Sequence, residues 1–545
     1  MAIYLGFDLG TQGLSAIALE VEAGRRAVVF QHALDFDADF PHYGTSHGVL
    51  PREVPLVAES SPLLWAEALD RMMAVIAQES GLDLSRVRAV AGSAQQHGSV
   101  YLNHTAGDTL AGLDPGLPLA GQLGGIFTRK HAPIWMDAST TRQCGEITRA
   151  LGGAEAVARL TGSRAFERFT GPQIRKFEQY DPAAYRRTAT IHLVSSYLAS
   201  LLAGRRAPIE PGDGAGMTLM DLARRAWSPA ALAATAPDLE GKLPPLAESW
   251  TIAGPLAPYW TARYGFPPAE VVAWSGDNPC SLVGTGLVDP GTVAISLGTS
   301  DTLFAPLAAP RTDPSLAGSV FGAPTGGYMG LICFTNGSLA RERVRDRHGM
   351  DWAAFSEALR RSRPGNGGAL MLPWFEPEIT PHVPVAGVHR FGLDAEDGAA
   401  NVRAVVEAQM MALANHSAWM GVGVREIRAT GGAAANREIL QVMADVHGAE
   451  VRQLEVGNSA CLGAALRAFH ADELARGNRM AWPDVVAGFV APEEPAIRPD
   501  ARRVRMYAEL REIYATCEAH SLGLGPDPAL RLTSFQARYT DTGRL

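Results

Sequence analysis

The sequence contains the same short motif twice, and both times it separates two apolar segments. Leu-Gly-Thr followed by a polar residue lies between the apolar runs 3–7 and 14–19, and it returns between 292–297 and 302–304. Glycine and hydroxyl residues between apolar, β-rich runs predict the tips of β-hairpins. The second copy begins just past the middle of the chain. We therefore expect two similar halves, each opening with a strand, a turn and a strand.

The rest of the chain alternates between strand-like and helical patterns. Residues 427–430 form a short apolar run, and a glycine-alanine turn, a helical pattern and a second strand follow, which favours a parallel sheet. Residues 401–420 have a long helical pattern, and residues 188–204 show helical spacing that ends at Gly204. With 545 residues, the chain is long enough for two or three domains. These patterns predict an α/β fold with two lobes and a boundary near 284–291.

Three further segments are expected to be irregular. The proline- and glycine-rich stretches 310–331 and 364–384 predict loops around the second core, and the tail after Gly523 has little pattern and is expected to be peripheral.

Charge and cysteine content exclude several classes of protein. The 48 basic and 57 acidic residues give a net charge of −9, which argues against a general nucleic-acid binder. The five cysteines are scattered without a C-x-x-C pair, so we expect reduced thiols and neither a zinc site nor dithiol chemistry. No apolar run reaches about 18 residues, and no signal peptide precedes the first strand. We expect a cytoplasmic protein that binds neither nucleic acid nor a membrane.

The two predicted tips have the chemistry of a phosphate site. Asp8 near the end of a strand, followed by Gly10, Thr11 and Gln12, suits Mg²⁺ and phosphate, because the carboxylate holds the cation while amides and the hydroxyl donate to phosphate oxygens. The second tip, Gly298, Thr299 and Ser300, would contact the same phosphates from the other half. The alternative for each is an ordinary hairpin turn.

Two more segments place polar groups where a strand meets a helix. Gly431 and Gly432 would let a flat phosphorylated ligand approach the backbone, and Asn436 either caps the next helix or reaches the adenine or ribose. Asp277 follows an apolar strand and precedes a probable helix with Asn278 at its start. It is either a helix cap or a general base that takes the proton of a substrate hydroxyl during phosphoryl transfer.

Polar residues near strand ends in the first half suit a carbohydrate. They are Gln95, Gln96 and His97 in one segment, Asp137 in the next, and Arg164, Glu167 and Arg168 in a third. Sugars require many directional donors and acceptors. Each residue alone is more often structural, so this interpretation depends on the set.

Together, the segments FDLGTQG, WMDASTT, SGDNP, ISLGTSDTLF and ATGGAAANREILQVMADV resemble the FGGY carbohydrate kinases of the actin-like ATPase superfamily. Their order and spacing match along nearly the whole chain. SAQQHGSVY, PIWMDASTTRQC and CFTNGSLARE resemble the longer, animal-type xylulose kinases of that family. Gln96 and Gln173 depart from many short bacterial members, which carry Met and Lys there.

The resemblance implies two actin-like, ribonuclease H-like lobes with a ligand cleft between them. Residues 1–286 would carry the sugar site and the base, and residues 287–545 the nucleotide. It implies transfer of phosphate from ATP, with Mg²⁺, to the 5-hydroxyl of D-xylulose. By position, Asp277 would be the catalytic base, and the sugar would be contacted by Asn278, His97, Asp137 and Arg168. The Mg²⁺-phosphates would be met by Asp8, Thr11, Gln12, Gly298, Thr299 and Ser300, with Asp8 as the metal ligand. The nucleotide would be held by Trp352, Gly431, Gly432 and Asn436.

Other functions remain open at this point. A kinase of the same fold acting on ribulose, rhamnulose, gluconate or glycerol differs only in pocket residues. A non-catalytic actin- or chaperone-like ATPase, or a protein that merely binds sugar or nucleotide, would share the hairpins without transferring phosphate. The sequence does not fix the oligomeric state.

Overall fold

Each half contains a mixed β-sheet. In both sheets, a central strand has an antiparallel neighbour on one side and a parallel neighbour on the other. The computed structural model describes residues 1–22, 24–52, 54–454, 457–491 and 494–540. In spatial order, the first sheet contains Ile252–Pro255, Glu270–Val272, Val87–Ala94, Ala2–Leu9, Gly13–Glu22 and Arg25–Asp35, with Ser275–Gly276 also paired to Val87–Ala94. The second contains Ser319–Gly322, Tyr328–Phe334, Asp301–Leu307, Thr292–Leu297, Glu426–Thr430 and Glu450–Gln453.

The repeated motif occupies equivalent places in the two sheets. Ala2–Leu9, the first central strand, forms an antiparallel hairpin with the strand that follows it and pairs in parallel with Val87–Ala94. Thr292–Leu297, the second central strand, has an antiparallel partner on one side and the parallel strand Glu426–Thr430 on the other. The first tip (residues 10–13) and the second tip (residues 298–300) therefore lie at the carboxyl ends of their central strands. The two-lobe α/β fold is confirmed.

Helices and short ribbons cover both sheets. The first-half helices are Phe36–Asp39, Pro62–Glu79, Ala106–Ala111, Leu119–Leu123, Thr141–Ala150, Ala154–Thr161, Thr170–Tyr180, Pro182–Arg187, Val194–Ala203, Pro211–Gly214, Pro229–Thr235, Leu239–Lys242, Pro258–Tyr264 and Asp277–Gly284. The later helices are Ser338–Arg347, Trp352–Arg361, Gly398–His416, Arg437–His447, Ser459–Ala475, Trp482–Val486, Ala501–Ser521 and Ala529–Thr540. Across the described ranges, none of these helices combines the length and apolarity that a bilayer crossing requires.

Four two-stranded ribbons complete the fold. They are Met220–Asp221 with Ala226–Trp227, Leu370–Trp374 with Gly387–Phe391, Glu59–Ser60 with Ala132–Pro133, and Ser99–Leu102 with Thr190–Leu193.

One helix of the second half packs against the first sheet. Ser459–Ala475 contacts Ala2–Leu9 and Val87–Ala94 as well as the helix Asp277–Gly284. Its Arg467, which is 1% exposed, donates to the carbonyl oxygens of Gly92, Ser249 and Ala273. A side chain of a second-half helix thus provides the hydrogen bonds that buried backbone carbonyl groups of the first half require. The boundary at 286/287 stays a prediction, and this helix ties the two sides of that boundary together.

Several local predictions change in the structure. The helical spacing over 188–204 contains a strand, Thr190–Leu193, before the helix Val194–Ala203, which ends at Gly204 with a φ of 64°. The strand forms because it pairs with Ser99–Leu102, a partner distant in sequence. The segments predicted as loops hold the strands Ser319–Gly322 and Leu370–Trp374.

The C-terminal tail also differs from the prediction. It forms a helix, Ala529–Thr540, and Phe535 of that helix is fully buried in the second-half core. The tail is therefore part of the packed structure over its described residues.

Candidate active site

The first tip carries a buried carboxylate that is only partly satisfied by the protein. Asp8 lies at the carboxyl end of the first central strand, and Ser93 Oγ donates to its Oδ1 at 2.5 Å. Burial raises the pKa of Asp8, and the Ser93 hydrogen bond only partly offsets this. Thr11 Oγ1 accepts a hydrogen bond from the indole nitrogen of Trp135 at 2.8 Å, whereas Gln12 is exposed. The tip thus combines a negative charge, a fixed hydroxyl and a free amide side chain.

The Asp8 site fits a magnesium ion by the chemistry of its donors. Mg²⁺ is usually held by one or two carboxylates together with substrate phosphates rather than by a cage of protein ligands. Among the described residues, no group of three or more His, Cys, Asp or Glu side chains forms such a cage. A cation beside Asp8 would stabilise the ionised form that burial disfavours.

The second tip is exposed and rests on a buried ion pair. Thr299 and Ser300 are exposed, and the carbonyl oxygen of Gly298 accepts a hydrogen bond from the backbone of Ser338 at 2.8 Å. Asp301 follows directly and binds both terminal nitrogens of Arg341, at 2.9 and 3.1 Å, with both side chains at most 2% exposed. Unlike Asp8, this carboxylate is neutralised by the protein itself.

Asp277 is the first residue of a helix and lies close enough to Asp8, at the first tip, for the two charges to interact. It is the first residue of Asp277–Gly284, and the cap position belongs to Gly276, so Asp277 is not the helix cap. Its Oδ1 accepts from the backbone N–H and the side-chain amide of Asn278, at 2.7 and 3.0 Å. Burial and then the charge of Asp8 raise the pKa of Asp277 to about 7. A carboxylate with that pKa is suited to accept a proton near neutral pH.

His97 and Arg168 lie beside one another and pack on phenylalanine rings. His97 Nδ1 is 3.0 Å from the carbonyl oxygen of Gly216, so Nδ1 carries the hydrogen and Nε2 is left as an acceptor. Its ring stacks on Phe169 at 4.2 Å, and burial, with the charge of Arg168, lowers the pKa of His97 to about 3. Arg168 lies over Phe166 and Phe169 and, in the part of the chain that is described, makes no hydrogen bond or ion pair. Its donors are free for a ligand.

Asn278 connects this group to Asp277. Its side-chain nitrogen donates to Gln96 Oε1 at 3.0 Å, and Gln96 is the residue before His97. Gln96 therefore connects Asp277 and Asn278 to the segment that carries His97.

Asp137 has a structural position. It is fully buried, and it accepts from the backbone of Ala58 at 3.2 Å, from that of Ser139 at 2.9 Å and from Gln173 Nε2 at 2.8 Å. These bonds hold the turn that presents Trp135 to the first tip. Its predicted contact with sugar stays a prediction.

A cavity of about 640 Å³ lies beside the second tip. It brings together three residues that were predicted to hold the nucleotide, Trp352, Gly432 and Asn436, and its other lining residues are Ser338, Glu342, Ser356, Ala433, Ala435, Arg437, Glu438 and Ile439. Trp352 is 43% exposed, with the guanidinium of Arg345 4.5 Å from its ring. A cavity with an aromatic wall and a few polar groups is typical of a small-molecule site.

The turn at Gly431 requires glycine for two reasons. Its φ of 87° is left-handed, and a Cβ there would lie 2.6 Å from the carbonyl oxygen of Leu297 in the second central strand. Asn436 caps the helix Arg437–His447 through the backbone N–H groups of Glu438 and Ile439, and its amide nitrogen donates to Ser356. Asn436 is therefore the helix cap, as one of the two predicted alternatives stated, and it also lines the cavity.

Sequence reasoning missed two residues next to these groups. Trp135 fixes Thr11, and Asp213 is a buried carboxyl group whose pKa is influenced by Asp277. Trp135 lies in a segment whose predicted site residue was Asp137, and no site residue was predicted near Asp213. Their roles depend on contacts across more than 60 residues, so no local pattern identifies them.

Models of two protein-domain families match the chain. The FGGY family of carbohydrate kinases, N-terminal domain, matches residues 130–284, and the FGGY family of carbohydrate kinases, C-terminal domain, matches residues 293–471.

Individual proteins agree with these matches. The chain is 43% identical to the xylulose kinase of Rattus norvegicus over 536 residues, covering 96% of this chain and 98% of the rat protein. It is 42% identical to the xylulose kinase of Mus musculus, covering 96% and 95%. The crystal structure of xylulose kinase from Rhodospirillum rubrum superposes with a TM-score of 0.79 at 21% identity, covering 95% of this chain and 99% of that one. That structural likeness supports the fold.

Proposed function

The chain belongs to the FGGY family of carbohydrate kinases, and on that premise we propose that it transfers the γ-phosphoryl group of ATP to the 5-hydroxyl of D-xylulose. The products are D-xylulose 5-phosphate and ADP. The extent of the similarity to rat and mouse xylulose kinases supports the choice of sugar. The observation that carries the proposal is the carboxyl group of Asp277 at the start of its helix, where it is oriented by Asn278 and lies close enough to Asp8 for that charge to raise its pKa.

The two halves divide the substrates in this proposal. Residues 1–286 form the sugar-binding lobe and residues 287–545 the nucleotide-binding lobe. His97, Arg168, Asp277 and Asn278 contact the sugar, because they offer an acceptor, free guanidinium donors, a carboxylate and an amide in one neighbourhood. The predicted contact of Asp137 with the sugar belongs to the same proposal.

The nucleotide lies along the second half. Trp352, Gly432 and Asn436 hold the adenosine in the 640 Å³ cavity. Gly431 does not line the cavity and contributes through the tight turn before it. Gly298, Thr299 and Ser300 donate to the phosphates. Thr11 and Gln12 approach the phosphates from the first tip. Mg²⁺, held by Asp8, would supply charge neutralisation at the phosphates.

Asp277 acts as general base. As O5 of the sugar attacks the γ-phosphorus, Asp277 accepts the O5 proton, and the bond from the γ-phosphorus to the bridging oxygen of ADP breaks. The raised pKa of Asp277 strengthens it as a base while leaving a large share ionised at neutral pH. The amide groups of both tips stabilise the charge that develops on the transferred group.

A cytoplasmic location belongs to the same proposal. All five cysteines are free thiols, and four of them are buried. Free thiols are the usual state in a reducing compartment.

The test is product identification by mass spectrometry after incubation with MgATP and a panel of sugars. We expect one added phosphate on D-xylulose, and slower or no reaction with ribulose, rhamnulose, gluconate and glycerol. Preferential phosphorylation of another sugar would contradict the choice of substrate, and ATP hydrolysis without a sugar phosphate would contradict the transfer reaction.

The matched control is Asp277→Asn, which keeps the size of the side chain and removes the base. Its turnover should fall about 10²–10⁴-fold, while ATP binding measured by calorimetry stays near that of the unmodified protein. Near-normal turnover would remove Asp277 from its role.

A further inference from the structure

A short helical turn places a further acidic residue, Asp213, next to the candidate site. Asp213 lies in Pro211–Gly214, and the preceding Glu210 caps that turn by accepting from the backbone of Gly212 at 2.8 Å. A Cβ at Gly212 would come within 3.0 Å of the carbonyl oxygen of Gly322, which belongs to the edge strand of the second sheet. The turn is therefore held tightly where the two halves meet.

One oxygen of the Asp213 carboxyl group makes no hydrogen bond. The residue is 1% exposed, and its Oδ2 accepts a hydrogen bond from Ser195 Oγ at 2.5 Å. Its Oδ1 is buried without a hydrogen bond, although the side chain of Gln96 approaches the carboxyl group closely enough to lower its pKa. Within the described ranges, Asp213 forms no ion pair. A buried polar atom left in this state destabilises the fold, so a native structure that keeps one requires an explanation.

The surroundings of Asp213 are those of the predicted sugar site. Burial, followed by the charges of Asp277 and Glu210, raises the pKa of Asp213 to about 8. At neutral pH the group therefore carries a proton for most of the time, and it can both donate and accept a hydrogen bond. The nearby Gln96 is the residue that Asn278 binds at 3.0 Å.

Building on the proposed function, we infer that Asp213 is a further substrate-contacting residue, whose Oδ1 forms a hydrogen bond with a hydroxyl group of the bound sugar. A polyol offers the neutral, bifunctional partner that this buried atom lacks. A site built to hydrogen-bond a hydroxyl group discriminates strongly against a ligand without it, because its own polar atom is then left unpaired. Asp213 thus contributes to sugar selection from outside the set that the sequence identified.

The opposing explanation is that Asp213 only adjusts Asp277. The two carboxyl groups interact, so a change at Asp213 would then alter the pKa of the base and the rate of transfer. These explanations differ in the kinetic constant that they affect.

The experiment compares Asp213→Ala, which removes both carboxyl oxygens, with the unmodified protein in steady-state kinetics. We expect the KM for the sugar to rise about 10-fold or more, because the sugar hydroxyl group loses its hydrogen-bond partner. The KM for ATP should be unchanged. Asp70→Ala is the matched control, because Asp70 is a buried carboxyl group of the same half whose partners include Tyr259, Tyr264 and Arg263.

Deoxy sugars sharpen the result. The 1-, 3- and 4-deoxy analogues of D-xylulose are measured with both proteins. For the analogue that lacks the contacted hydroxyl group, Asp213→Ala should cause no further loss, because the interaction is already absent. Equal losses with all three analogues would overturn the inference.

Other outcomes are equally decisive. A fall in turnover with an unchanged sugar KM and a shifted pH profile would show that Asp213 acts only through Asp277, and unchanged kinetics would remove it from the site. If Asp213→Ala fails to fold, Asp213→Ser removes the carboxyl group and is measured in the same way. If the unmodified protein phosphorylates a different sugar, the proposed function fails, and Asp213 is tested with that sugar and its deoxy analogues.

Discussion

The two tips share a backbone pattern and differ in how their acidic residue is neutralised. At the first tip, the partly buried Asp8 has one hydroxyl partner, Ser93, and burial raises its pKa, as it also raises the pKa of Asp301. At the second tip, Asp301 forms a buried ion pair with Arg341. One hairpin thus retains a negative charge for an external cation, whereas the other has its charge cancelled. Two tips in equivalent places of their sheets therefore differ in charge, because only the second has an arginine beside its carboxyl group.

The support beneath the second tip extends into the nucleotide cavity. Arg341 also donates to Gln409 Oε1 at 2.8 Å, and Gln409 Nε2 donates to the carbonyl oxygens of Asn336 and Gly337. The next residue, Ser338, binds the second tip and lines the cavity. The ion pair therefore fixes the backbone that would hold the phosphates.

The largest effect should follow from breaking that ion pair. Asp301→Asn leaves Arg341 buried without a charged partner, so the free energy of unfolding should fall by about 3–5 kcal/mol, measured by urea denaturation. The double variant with Arg341→Met should recover part of the loss. Equal stability of Asp301→Asn and the unmodified protein would mean that the two tips are not neutralised differently.

Asp8→Asn should have the opposite profile. Removing a buried carboxylate that lacks a cation leaves the urea midpoint unchanged or higher, because burial of the charge is no longer required. Turnover should fall at least about 10²-fold, with a higher Mg²⁺ concentration needed for half-maximal rate, since metal stabilisation of the transferred charge contributes several kcal/mol. A variant with normal turnover and normal Mg²⁺ dependence would show that the first tip holds no cation.

Trp352→Ala tests whether nucleotide binding belongs to the second half alone. Stacking of a base on an aromatic ring contributes about 1–3 kcal/mol, so the KM for ATP should rise about 10-fold while the KM for the sugar stays constant. Trp352→Phe keeps an aromatic face and should restore most of the affinity. A matching rise in the sugar KM would contradict the division of substrates between the halves.

The smallest effect concerns pH. Asp277 must be ionised to accept a proton, so kcat/KM should fall as the pH drops below about 7, the pKa of that group. The charge of Asp8 contributes to this raised value, and Asp8→Asn should move the acidic limb of the residual activity to lower pH by about one unit or less. Asp301→Asn should leave the limb in place. If the acidic limb does not move in Asp8→Asn, the charge of Asp8 does not influence the pKa of Asp277.

The sequence by itself determined the features that depend on local order. The hairpin tips, the strand-turn-helix-strand unit around Gly431 and the helix start at Asp277 are encoded by neighbouring residues, because turn chemistry and apolar periodicity act over a few positions. The resemblance of these segments to FGGY kinases gave the two-lobe fold and the residues proposed for the site. The strand Thr190–Leu193 was missed because its pairing partner is distant in sequence.

Only the tertiary structure decided which of these groups are chemically available. Asp8 and Asp301 look alike beside their tips, and the difference arises from Arg341, which follows Asp301 by 40 residues. Asp137 has its oxygens occupied by the protein, whereas Asp213, in a segment without a clear motif, has one oxygen free. Charge compensation and burial depend on residues that folding brings together, so a linear pattern carries no record of them.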